Sequence, residues 1–340
     1  MKQRLLLSFA LLLPLFNLQA RVLFVRHGGM GDGSSWQSAL GSLPLALSKA
    51  RMGDEVWVAS GTYVPSQNDR NASFVIPSGV KVLGGFSGKE TSVSQRDFTV
   101  NRTILSGEIG SPGTIEDNSF TVVVVRNAAE GTLLDGFEIS GGNANNSVRE
   151  ITPSNCGGGL FNDATGGSSS VTISNCFFKA NKALYGGGLY NNAGNGDCSG
   201  TKVLNCDFYK NDAKVDGGGV YNQGGSGVCN LLIKNCNFED NQAYYGAGIL
   251  NQAISGEASP TIENCTFLGN ASVVRGSPVY NHREQNGTCN PVLRGCRFDN
   301  NTGAVGTSSN VGGNSTGPTQ QQEEVKKNKK PITMRPTTAY

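Results

Sequence analysis

The chain has 340 residues, 47 of them glycine and only 16% charged, which excludes a helix-rich protein and favours a turn-rich β architecture. Its 28 basic and 26 acidic residues leave a net charge of +2. No basic stripe lies outside the C-terminal tail, so nucleic acid is excluded as a partner.

Residues 1–20 read as a secretory signal peptide. Lys2 and Arg4 precede an apolar run from Leu5 to Phe16, and Ala20 offers a small residue for cleavage. The expectation is an exported protein, extracellular or associated with the outer membrane or cell surface. No later segment is long and apolar enough for a membrane helix. After a short strand at 21–25, Trp36, Leu40, Leu43, Leu47 and Ala50 fall at helical spacing. This predicts a capping helix over 36–50, split near Pro44, with Ser42 as the cap of its second part. Strand-like runs then alternate with turns from Glu55 to Ser140, with polar loops at 64–73 and 86–102. These are the first, irregular coils.

From 156 to 305 the chain repeats itself. Cys176, Cys206, Cys236, Cys265 and Cys296 recur at intervals of 30, 30, 29 and 31 residues, each within a phrase such as VLNCDFYKN. A glycine-led phrase (GGGLFN, GGGLYN, GGGVYN, GAGILN, GSPVYN) precedes each one. Such a period means one structural unit stacked five times. Asn175, Asn205, Asn235 and Asn264 sit where the apolar parity flips and suit a left-handed bend. Two further asparagine columns run through 181, 211, 241, 270, 301 and through 162, 191, 222, 251, 281.

The fold class is therefore all-β: a right-handed parallel β-helix, a single-stranded solenoid over residues 21–305 with an N-terminal capping helix. The five stacked cysteines read as small buried fillers, because strand spacing of about 4.8 Å exceeds the roughly 3.8 Å a disulfide requires between Cβ atoms. Cys156, Cys198, Cys229 and Cys289 leave room for one disulfide whose pairing the sequence does not reveal. Residues 306–340 are too polar to fold and read as disordered.

The phrases GDGSSW, GDEVWVASGTYVP, VLGGFSGKE, QRDF and NRTILSGEIG resemble the opening of secreted right-handed parallel β-helix proteins of the Bacteroidetes type. The GGGLYN and NCxFxxN repeats are also similar to those of chlamydial polymorphic outer membrane proteins. The resemblance covers residues 21–305 and implies a surface or secreted protein, adhesin-like in some members.

The same pectin lyase-like fold hosts lyases and hydrolases, so catalysis must be read from residues. Asp207, Asp216, Glu239 and Asp240 do not line up between coils, and His27 and His282 are too far apart for a metal set. The leading expectation is a non-catalytic binding protein with a host or environmental glycan or surface protein as partner. Its candidate ligand-binding strip is Tyr185, Tyr190, Tyr221, Tyr245 and Tyr280, turned outward by alternation. The alternative use of the same rings is a stacking ladder that stabilises the coils or packs beneath a side loop. The other functional readings are a polysaccharide lyase or glycoside hydrolase, and a structural element of the cell envelope. No cofactor is expected, with Ca²⁺ required only for the enzyme reading.

Overall fold

The computed structural model describes residues 20–275 and 278–303. The signal segment apart from Ala20, and the tail from 306 on, lie outside the described residues. Four parallel sheets form the walls of a right-handed solenoid of about nine turns. In the coil that starts at Thr172 the chain visits sheet I (Thr172–Ser174), sheet II (Phe177–Lys179), sheet III (Lys182–Tyr185) and sheet IV (Leu189–Asn192). It then crosses to sheet I of the next coil, and equivalent residues pair in register, Phe178 with Phe208 and Leu189 with Val220. Sheet I has nine strands but sheet III only five, because sheet III begins at Asn143–Ala144. The coils before it run from sheet II to sheet IV through loops.

Three internal columns explain why the coils stack. Phe178, Phe208, Phe238, Phe267 and Phe298 lie ring on ring, with centroids 4.7 to 5.1 Å apart. Asn181, Asn211, Asn241 and Asn270 are fully buried. The Asn211 amide donates to Phe178 O (2.9 Å) and Asn241 Oδ1 (3.0 Å), and its own Oδ1 accepts from the backbone and side chain of Asn181. A second ladder links Asn162, Asn191, Asn222, Asn251 and Asn281, amide to carbonyl, at 2.8 to 2.9 Å. Asn175, Asn205, Asn235 and Asn264 occupy the left-handed bend between sheets I and II, with φ between 51° and 56°.

The N-terminal end is closed by a helix shorter than the spacing predicts. It spans Leu43–Lys49, with Ser42 accepting from Leu45 N and proline in the first turn. Trp36 and Leu40 are not helical: Leu40 bridges to Val25, and Trp36 packs with Phe24, Trp57 and Phe86 in a separate cluster. The spacing of these residues reflects two different surfaces, so the helical reading of 36–42 fails. Leu43, Ala46 and Leu47 join the solenoid core. The loop 86–102 is pinned by Arg96, which pairs with Asp135 and donates to Gly84 O (2.9 Å).

Removing one rung of the buried ladder leaves several polar groups unpaired at a typical 1–3 kcal/mol each. Asn211→Ala is expected to lower stability by about 3 kcal/mol or more in urea unfolding, while Asn205→Gly, at a left-handed bend, changes it by less than about 1 kcal/mol. Equal effects of the two substitutions would contradict the ladder.

Candidate functional site

Sheet III carries a surface of mixed charged, amide and aromatic side chains. Ala213 and Ala243 are buried and pack with Ala247 in a small cluster of their own. Its outward residues line two adjoining clefts of about 290 and 400 Å³ that share Lys182, Asp212 and Gln242. The smaller cleft adds Lys210 and Asp240, and the larger adds Asn143, Asn145, Lys214 and Tyr244. Tyr244 and Val273 are 50% and 71% exposed, an apolar platform beside charged neighbours.

The groove edge is a second left-handed bend. Ala180, Lys210, Asp240 and Asn300 hold φ between 52° and 54°, and Gly269 holds 66° in the same file. Lysine and alanine gain nothing locally from this conformation, so a glycine or asparagine there would fit the backbone better. Lys210 Nζ lies 4.9 Å from the Tyr209 ring centroid. The Tyr209 hydroxyl, more than any other neighbour, holds its ammonium above the usual lysine value. Burial raises the Asp212 carboxyl, opposed by the charge of Lys182.

The tyrosines expected to form an exposed strip do something different. Tyr190 and Tyr221 are 1% and 3% exposed, while Tyr185, Tyr245 and Tyr280 are half-buried. Alternation does turn the rings of sheet IV away from the tube interior, but the glycine triplet then folds sheet III over them. Gly186 takes φ +64°, and a Cβ there would meet Tyr190 Cβ at 2.9 Å. The result is a re-entrant corner in which Tyr190 stacks on Tyr221 at 4.8 Å and Tyr185 stands edge-on to Tyr221 at 6.1 Å. Tyr190 Oη donates to Gln223 Oε1 (2.8 Å), and Tyr221 Oη donates to Gln252 Oε1. As a pair, Tyr190 and Tyr221 are a stacking ladder with satisfied hydroxyls, not a ligand platform.

One residue in that corner is anomalous. Asp216 stands between Tyr185 and Tyr245 in the register of sheet III. Its Oδ1 is buried without a hydrogen-bond partner. Burial pushes its carboxyl up to about 6, with His282 acting weakly in the other direction.

The cysteine column is inert by its environment. Cys176, Cys206, Cys236 and Cys265 are buried, Cys296 half-buried, and the first four thiols donate to the carbonyl two residues before them at 3.2 to 3.3 Å. Burial raises the Cys206 thiol well above its ordinary value. Cys198 and Cys229, stacked on successive coils, form a disulfide, while Cys156 and Cys289 stay reduced. Among the described residues no three His, Cys, Asp or Glu side chains are grouped to hold a metal ion, and no helix is long and apolar enough to cross a membrane.

The groove residues Lys182, Lys210, Asp212 and Gln242 were not singled out as a site from the sequence. Their signal is positional, since Lys182, Asp212 and Gln242 each directly follow a ladder asparagine and must point outward.

No family model matches the chain, and no curated protein matches it in sequence. Two solved structures are similar. The crystal structure of pectate lyase Pel9A is 16% identical with a TM-score of 0.46, over 78% of this chain and 62% of that one. Pectin methylesterase from Aspergillus niger is 15% identical with a TM-score of 0.28, over 85% and 87% of the two chains. The chain therefore spans less than two thirds of the lyase's length. The chemistry of the groove and the corner is read from their own residues.

Asp216 makes stability pH-dependent. The unfolded chain ionises near the ordinary 3.8 and the folded chain near 6, so its contribution is full below about 4 and is lost as pH rises through 6. The difference corresponds to roughly 3 kcal/mol. Asp216→Asn is expected to gain stability of that order at pH 7.5 relative to the parent, and little at pH 4, by urea unfolding at the two pH values.

Proposed function

We propose that the chain is an exported, non-catalytic binding protein, adhesin-like, that holds an extended acidic polysaccharide in the groove of sheet III. The observation that carries this reading is the continuity of the two clefts across successive coils, joined through Lys182, Asp212 and Gln242. Coils repeat about every 4.8 Å, close to the length of one sugar residue in an extended chain. A polymer lying along the solenoid axis therefore meets equivalent contacts at each step. Lys182, Lys210 and Lys214 outnumber Asp212 and Asp240 in the two clefts, which favours carboxylated sugars. Asn143, Asn145 and Gln242 supply neutral donors and acceptors for hydroxyls, and exposed Tyr244 offers a flat apolar face to a ring.

A polysaccharide lyase or hydrolase is the second reading. It is favoured by Asp212, whose carboxyl is raised by burial beside Lys182, so that an acid and a base share one groove.

Calorimetric titration with uronate-rich and neutral polysaccharides tests the first reading, paired with ultraviolet detection of unsaturated products. The expected result is binding to the acidic polymers, weakened by salt and without product formation. Lys182→Ala and Tyr244→Ala are expected to weaken it about tenfold each, the 1.4 kcal/mol of one well-placed contact. Lys210→Gly is expected to weaken it as well while slightly raising the urea midpoint, because glycine relieves the left-handed bend. Product formation abolished by Asp212→Asn would replace the binding reading with the lyase.

A further inference from the structure

The N-terminal edge of the solenoid carries a separate inference. The strand Val22–Val25 stands at the end of sheet I and pairs with Glu55–Ala59. Arg21, the residue before it, is held on both sides of its backbone. Its carbonyl accepts from Glu55 N (2.9 Å) and its N–H donates to Asp54 Oδ1 (3.2 Å). Its side chain reaches the same carboxylate, Nε to Oδ2 at 2.8 Å, and its Nη2 donates to Lys49 O at the end of the closing helix. Arg21 thus ties that helix to the first edge of sheet I. One residue earlier, Ala20 is exposed.

Asp54 is 5% exposed, and its two oxygens are served unequally. Oδ2 accepts from the Arg21 guanidinium and from Arg51 N (2.9 Å). Oδ1 accepts from Arg21 N at the long end of the hydrogen-bond range. Burial raises the carboxyl, but the bonds from Arg21 and Arg51 outweigh it and hold it below the usual value. The fold therefore keeps this carboxylate charged, with its less occupied oxygen facing a main-chain nitrogen. An amide N–H brings that oxygen one donor and no net charge. An α-ammonium brings three donors and a full charge, and charge-assisted bonds are about twice as strong as neutral ones.

We propose that the Ala20–Arg21 peptide bond is hydrolysed on export and that the new Arg21 α-ammonium pairs with Asp54, forming a latch the unprocessed chain lacks. In the hydrolysis, water adds its oxygen to the Ala20 carbonyl carbon, the C–N bond breaks, and the Arg21 nitrogen leaves protonated. The catalyst is an export peptidase of the producing cell, for which Ala20 is the small residue before the cut. The latch rests on the proposed export and not on what the groove binds. The other charged groups around Asp54 are Lys49, Arg51, Glu55 and Lys81, the last two paired at 3.1 Å, with Asp32 beyond Lys49. These residue types do not ordinarily titrate between pH 6 and 9, whereas a free α-amine does, near 8. Pairing with Asp54 raises the amine in the folded chain. Its contribution is therefore complete below about pH 8 and is lost as pH rises through the raised value.

The test expresses the full chain in an exporting host, sequences the N-terminus of the released protein, and compares it with a chain that begins at Ala20. The expected start is Arg21. Limited acylation at pH 7.5, read by mapping the N-terminal peptide, should modify the Arg21 α-amine at least tenfold more slowly than that of a free peptide of residues 21–24. The chain that begins at Ala20 keeps every side chain, and its amine should react like the peptide. The chain that begins at Arg21 should have the higher thermal midpoint at pH 7, and the difference should vanish by pH 10. Asp54→Asn should restore ordinary reactivity, with circular dichroism verifying its fold. A released protein with another start overturns the processing site. An Arg21 amine that reacts like the free peptide, or a midpoint difference unchanged at pH 10, overturns the latch while leaving export standing. Retention in the host with residues 1–20 intact overturns export and the latch together.

Discussion

The structure depends on a geometric requirement: an asparagine carboxamide in one coil must meet the carboxamide of the next. In the ladder through Asn181, Asn211, Asn241, Asn270 and Asn301, each of the first four amides donates to the next asparagine and to a carbonyl of the sheet II strand one coil back. These groups are buried, so a shift by one residue would leave a whole rung unpaired. The phenylalanine stack beside it adds apolar burial but tolerates sliding. Directional hydrogen bonds therefore set the register, and hydrophobic burial supplies the bulk of the stabilisation.

That requirement locates where the chain can vary. From the first ladder to the second the spacing is ten residues for Asn181 to Asn191 and Asn241 to Asn251, but eleven for Asn211 to Asn222 and Asn270 to Asn281. The difference falls in sheet III, whose strands alternate between four and five residues and whose register shifts at each pairing of the regular coils. Sheet III is thus the wall on which the ladders permit irregularity. Both the outward groove around Lys182, Asp212 and Gln242 and the corner around Asp216 lie on it.

The period, the parallel winding, the Ser42 cap with Pro44 after it and the left-handed asparagines could all be read from the sequence. Each is a local preference that the stack reinforces at every coil. What escaped the sequence was decided by contacts between walls of the same coil. Alternation states correctly that Tyr190 and Leu189 face opposite ways, yet it does not say that the turn at Gly186 brings the preceding wall back over Tyr190. The Cys198–Cys229 disulfide escaped because strand spacing alone reads as forbidding it. Their Cα atoms lie 4.8 Å apart, the strand spacing itself, and a disulfide spans that distance when the side chains lean toward each other. The groove was hidden because its residues differ from coil to coil, and a repeat analysis weights what recurs.

The two faces of sheet III differ in what they ask of the fold. The groove is solvated, and its lysines need no partner within the chain. Asp216 is partly buried, with its Oδ1 held away from water, and that burial opposes folding whenever the carboxyl is ionised. A solenoid with two continuous amide ladders can sustain such a residue, because the coil that carries it is fixed from above and below by Asn211 and Asn222. Tyrosine stands at the equivalent place in coils whose sheet III strand has four residues, whereas Asp216 lies on a five-residue strand across a register shift, so the carboxylate marks the bulged coil.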